Sequence, residues 1–136
     1  MYPLVLESEK EGFRFVRRLY DEYVNGANRF DRDGEALFVA HTGQIAGICG
    51  LNQDPYSLLA SVGRVRRLYV HPDLRKFGVG RRLVSGVILE AKRFYATLTL
   101  RTDNPVADQF YRGLGFSTVH VPENATHRLS LNSDND

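Results

Sequence analysis

The segment Arg75-Lys76-Phe77-Gly78-Val79-Gly80-Arg81-Arg82 places two glycines among four cationic side chains. It follows an apolar run at 65–70 and opens an amphipathic pattern at 79–94. Glycine lets the backbone approach a ligand closely. A helix that starts here presents N–H groups with no intrahelical partner, and its dipole favours negative charge. The combination suits a phosphorylated ligand. In the simplest arrangement, amides from Phe77, Gly78, Val79, Gly80, Arg81 and Arg82 cradle a pyrophosphate, and Arg75 and Lys76 add charge. The segment lacks the Gly-Lys-Ser/Thr of a nucleoside-triphosphate loop and the first glycine of the dinucleotide fingerprint. A plain strand-to-helix turn with a solvated basic face is the bland alternative.

A second constellation runs from Asn104 to Phe116. Asn104 suits a helix N-cap, and Pro105 suits the first helical position. Val106, Phe110 and Leu114 recur at helical spacing, and Gly115 can end the helix. Tyr111, next to Phe110, is expected at the edge of the buried stripe. Together the patterns Arg75-x-x-Gly78-x-Gly80 and Asn104-x-x-Ala107-x-x-x-Tyr111-x-x-x-Gly115-Phe116 resemble the GCN5-related N-acetyltransferase (GNAT) family. The resemblance covers most of the chain. It implies acetyl-CoA as co-substrate and direct transfer of the acetyl group to a primary amine of a small molecule, amino acid, peptide or protein. It also implies that backbone groups of Leu68 and Val70, flanking Tyr69, hold the pantetheine arm.

Amine acetylation needs a neutral amine, a thioester close by, oxyanion stabilisation and a proton for the departing thiolate. Free amines with lysine-like pKa are almost fully protonated near neutrality, so a proton must be removed. With both substrates bound together, proximity supplies much of the rate and no covalent enzyme intermediate is needed. A strand N–H at 68–70 could serve as the oxyanion donor. Tyr111 is the candidate general acid, with a packed aromatic as its bland alternative. Asn104 either caps its helix or reaches the cofactor, and Arg81 or Arg82 could meet a further phosphate. Many relatives carry a glutamate early in the fourth strand, near Gly63 or Arg64 here. This chain has no carboxylate between Asp54 and Asp73. Glu35 and His71 remain as candidate bases, with a water chain as the alternative.

The composition agrees with this reading. The 136 residues fit a single domain, 1–131, with a polar tail at 132–136. The formal charge of +2 is too small to argue for non-specific nucleic-acid binding. The four histidines have no metal-ligand spacing, so no metal is expected. The single Cys49 lies in an apolar run, reads as a buried thiol, and points to a cytoplasmic setting. No apolar run is long enough to span a membrane. A homodimer through a strand edge stays open. Two other functions compete: a silent acyl-CoA-binding module, and a nucleic-acid-binding domain using Arg64, Arg66, Arg67 and Arg75.

The elements that must position these residues follow from periodicity. Residues 2–6 read as a first strand. Ser8 and Glu11 have capping-box spacing ahead of one helix carrying Phe13, Val16, Leu19, Tyr20, Tyr23 and Val24. Residues 36–41 and 45–51 read as a hairpin. The strand at 62–70 breaks alternation, and one extra residue at Arg66-Arg67, a β-bulge, would return Val65, Leu68 and Val70 to one face. The resemblance implies the same bulge, splaying this strand from the next to admit the pantetheine arm. A helix from Val79, strands at 97–101, 116–121 and 127–131, and the Tyr111 helix complete an α/β (α+β) fold. Its sheet is mixed and largely antiparallel, with helices on both faces.

Overall fold

In the computed structural model, which describes residues 2–11, 14–41 and 45–131, the chain opens with a helix where a strand was expected. Leu4 and Leu6 alternate, but α1 (Tyr2–Lys10) buries Leu4, Val5 and Ser8 and leaves Leu6 45% exposed. That spacing is helical. Ser8 decides it: its hydroxyl donates to the Val5 carbonyl one turn back, so a buried polar group is satisfied inside the helix. Ser8 and Glu11 therefore do not box the start of the following helix. α2 (Phe15–Asn25) buries Val16 and Leu19 and ends at Gly26, whose φ is +86°. Two helices thus precede the sheet, not one. Phe13 lies outside the described residues.

β1 (Ala36–His41) and β2 (Ile45–Gln53) pair antiparallel as the alternation predicts, while residues 42–44 lie outside the description. β3 (Val62–Val70) pairs with β2, and its register shifts between Ile48 and Gly50. Arg67, at φ +61°, is the extra residue. The bulge sends Val65, Leu68 and Val70 to one core cluster and Tyr69 to the other.

β4 (Thr97–Leu100) lies parallel to β3, but the pairing runs only from Val62–Thr97 to Arg64–Thr99. β5 (His127–Ser130) closes the sheet antiparallel to β4. The strand expected at 116–121 shrinks to one bridge, Ser117 to Arg128, because the chain turns away at His120, whose φ is +57°. The order is β1-β2-β3-β4-β5, with β3–β4 as the parallel contact. α3 (Val79–Ala91) covers one face through Leu83, Val84 and Val87, and α4 (Pro105–Gly113) adds Tyr111 to the same core. α1 and α2 cover the other face over Ile48 and Tyr69. No helix among the described residues is long and apolar enough to cross a membrane.

Candidate functional site

Beyond Arg64 and Thr99 no pairing joins β3 to β4, and the two strands open as a wedge. The His71 N–H donates to the Ala46 carbonyl (2.7 Å), which fixes the hydrogen-bonding phase of this antiparallel pair. Val70, one residue earlier and opposite Gly47, therefore turns its N–H and C=O away from β2, toward the wedge. Arg75 Nε donates to that carbonyl (3.0 Å), and the Val70 N–H faces the opening.

A 3-10 turn (Pro72–Phe77) follows, capped by His71, whose Nδ1 accepts the Asp73 N–H (3.2 Å). Gly78 joins this turn to α3 at φ +76°. A Cβ there would meet nothing within 4 Å, so glycine is needed for the backbone angle and not for space. The helix closes with the Arg82 N–H donating to the Gly78 carbonyl (3.1 Å). The amides of Val79, Gly80 and Arg81 precede that bond and have no intrahelical acceptor. A Cβ on Gly80 would lie 3.5 Å from Phe110 and 3.6 Å from Val70. The glycine turn, the open side of β3 and α4 are therefore contiguous. Phe77, Arg81 and Arg82 are exposed around this point.

Arg75 has a more specific position than a free cation beside a phosphate. Its guanidinium grips the Glu11 carboxylate with two bonds (2.9 and 2.6 Å) and stacks 5.4 Å from the Tyr69 ring centroid. The Tyr69 hydroxyl donates to the same carboxylate. These bonds hold the Glu11 carboxyl below its ordinary pKa, Arg75 being the larger cause, while burial and then Glu11 push the Tyr69 phenol up. The sequence suggested Glu11 only as a capping-box partner of Ser8, not as the partner of Arg75. The contact spans 64 residues and joins the end of α1 to the turn after β3.

Tyr111 is buried, 5% exposed, rather than placed at the stripe edge. Its ring packs edge-on against Phe110 and Phe116 and lies 6.0 Å from His127. Among the described residues its hydroxyl has no hydrogen-bond partner. Burial drives its pKa strongly upward, with a smaller contribution from Cys49. Cys49 is itself buried, its thiol pushed up to about 12, which suits packing and not nucleophilic attack. Asn104 Oδ1 accepts from the Val106 and Ala107 amides (2.8 and 3.4 Å), so its side chain is committed to capping α4.

Two concavities flank Arg66. One, of about 350 Å³, lies at the mouth of the wedge and is lined by Arg64, Arg66, Arg67, Arg101, Arg18 and Asp103, among others. The other, of about 730 Å³, is walled by Glu22, Asn28, Arg29, Glu35, Asn52 and Arg66 with neighbouring loop residues. The larger hollow is therefore not the glycine turn, whose amides lie on an open surface. The Glu35 carboxylate stands in the larger hollow, accepting from the Arg32 N–H (3.2 Å) and the Asn52 amide (2.8 Å). His71 stands apart from both hollows. Its Nδ1 accepts from the Asp73 N–H, and its Nε2 lies 3.7 Å from Glu7. Among the described residues no group of His, Cys, Asp or Glu is placed to hold a metal ion.

A mixed sheet split by a bulged strand, with a glycine turn at the head of the next helix, is the fold of acyl-CoA N-acyltransferases. The chain belongs to the GNAT acetyltransferase family: the Acetyltransferase (GNAT) domain matches residues 33–118. No curated protein matches it. Among solved structures it is similar to a candidate acetyltransferase from Exiguobacterium sp. 255-15, with 36% identity, TM-score 0.83, and coverage of 95% of this chain and 83% of that one. It also shares the fold of a GNAT-family acetyltransferase from Staphylococcus aureus Mu50 (19% identity, TM-score 0.72, coverage 94% and 87%). A Salmonella typhimurium protein solved with acetyl-CoA shares it as well (20%, 0.61, 88% and 75%).

Proposed function

We propose that this chain is an acetyl-CoA-dependent N-acetyltransferase that passes the acetyl group directly to a primary amine within a ternary complex. The observation that carries the reading is the contiguity of the glycine turn, the outward-facing Val70 N–H and α4. The residues fit acetyl-CoA. Amides of Val79, Gly80 and Arg81 supply donors for the diphosphate, in the positive field of a helix N-terminus. Leu68 and Val70 offer backbone groups to the pantetheine arm, passing Tyr69. Bound acetyl-CoA supplies the activated acyl group.

The remaining chemistry falls to this chain's own groups. A backbone N–H on the open side of β3 is a fixed dipole where an oxyanion would form. Tyr111 keeps its proton across the physiological range because burial disfavours phenolate, so it suits a general acid and not a base. Arg75 positions, by pinning the Val70 carbonyl and α1 together. Asn104 orients α4 and thereby Tyr111. For removal of the amine proton, Glu35 is one of the carboxylates that line the larger hollow, with solvent as the alternative route. A cytoplasmic setting belongs to the same reading. Thiol release from acetyl-CoA across a broad amine panel tests it. Turnover with at least one amine is the expected result. Tight acetyl-CoA binding with no turnover on any amine would favour the silent binding module.

A further inference from the structure

Five arginines converge on one place away from the glycine turn. The hollow at the mouth of the wedge is lined by five arginines, Arg18, Arg64, Arg66, Arg67 and Arg101, with Tyr56, Val65, Thr102 and the single carboxylate Asp103. Like charges gathered this way repel, and their field attracts an anion into the space between them.

The partners are unevenly shared out. Arg67 and Arg18 both meet Glu22 on α2, each at 3.5 Å. Arg64 has an 8% exposed side chain and donates through Nη2 to the Asn124 carbonyl (2.8 Å). Its Nη1 lies 3.7 Å from Asp54 with no hydrogen-bond partner, a buried donor left unsatisfied. Asp54 is already taken: it accepts from the Thr99 hydroxyl (2.8 Å) and the Tyr56 N–H (2.9 Å). Arg66 and Arg101 have no ion pair among the described residues. Burial and the neighbouring Arg64 and Arg18 pull the Arg66 pKa down, while Glu22 holds it up.

The position is chemically informative. Arg64 is the last residue of β3 paired with β4, and Arg101 follows the end of β4. The arginines therefore sit where the wedge begins, and the glycine turn lies beyond its far end, past Val70. An anion held here is not the diphosphate. It is a group on the other substrate, at the throat where acyl transfer would take place.

We propose that this hollow is the acceptor pocket and that the acceptor is a small amine carrying an anionic group, a carboxylate or a phosphate, gripped by Arg64, Arg66 and Arg101. Guanidinium forks match either oxyanion with two parallel bonds, and the space is on the order expected for a small-molecule site. This inference rests on the transferase reading above.

The test uses matched amines in the thiol-release assay: glycine against glycinamide for a carboxylate, and phosphoethanolamine against ethanolamine for a phosphate. Acetyl-CoA affinity is measured by calorimetry on the same samples. The expected result is that one anionic member exceeds its neutral partner by roughly tenfold or more in kcat/KM, the worth of a charge-assisted hydrogen bond. The pair that discriminates names the oxyanion. In R66Q and R101Q that ratio falls toward one while acetyl-CoA affinity holds. Thermal stabilisation by inorganic phosphate at fixed ionic strength, measured with coenzyme A saturating, should likewise fall in the double variant. Equal kcat/KM for charged and neutral partners, or a preference that survives the double variant, overturns the inference alone. Failure of the transferase reading looks different: no heat with acetyl-CoA and no turnover with any amine, which removes the acceptor assignment with it.

Discussion

Tyr111 ends in a hydroxyl that no described residue satisfies, on a ring packed against Phe110 and Phe116. Replacing it with Phe leaves those ring contacts and removes only the hydroxyl. Tyr111→Phe should therefore keep the melting temperature and the acetyl-CoA affinity while kcat falls about 10²–10⁴-fold, the range for acid–base groups. Stopped-flow thiol release with calorimetry separates the two readouts. An unchanged kcat removes Tyr111 from the chemistry. The residue's type and its place after Phe110 were readable in the sequence, but its depth was not, because burial here depends on Phe116 and His127 folding back from beyond α4. The capping role of Asn104 was legible from the Pro105 that follows it. Glu22 was only half legible. Its spacing to Arg18 on α2 can be read along the chain, but its bond to Arg67 crosses 45 residues.

The link between α1 and the turn after β3 runs through one carboxylate. Because Glu11's pKa is lowered from an ordinary 4.5 in the folded protein, its contribution to stability is fully present above that value. It is lost as pH falls through the folded value, since the unfolded chain then binds more protons. Melting temperatures of wild type and Glu11→Gln should differ near neutrality and converge below about pH 4.5. A difference independent of pH would mean that packing, not the ion pair, holds the two elements. In Gly78→Val the left-handed backbone becomes strained, at a cost of about 1–2 kcal/mol. The bulge at Arg67 was legible because Val65, Leu68 and Val70 violate alternation in the only way one inserted residue repairs. The first helix was not. Leu4 and Leu6 fit a strand equally well, and Ser8 reads as polar until its hydroxyl is seen bonded back to Val5.

The sheet holds the glycine turn, the wedge and the arginine hollow in fixed succession along β3. A ligand spanning the first two binds only the folded chain, so it must raise stability by mass action. Acetyl-CoA at a hundred times its Kd should add about 2.7 kcal/mol, read as a rise of several degrees in melting temperature. From residue 36 to 113 the order of strands and helices could be read from periodicity, while the first helix and the single bridge at Ser117 could not. The arginine hollow could not. Arg18, Arg66 and Arg101 come from α2, β3 and the segment after β4, and only the folded sheet brings them together. The proton-removal route is likewise illegible in the chain, because no carboxylate lies between Asp54 and Asp73.

Whether main-chain amides after Gly78 receive the diphosphate is decided by calorimetric titration of acetyl-CoA into wild type and Gly78→Val, with circular dichroism confirming that both are folded. One site per chain in wild type, weakened at least about tenfold in the variant, is the expected result. Equal affinity in two folded proteins, or no binding to either, would contradict it.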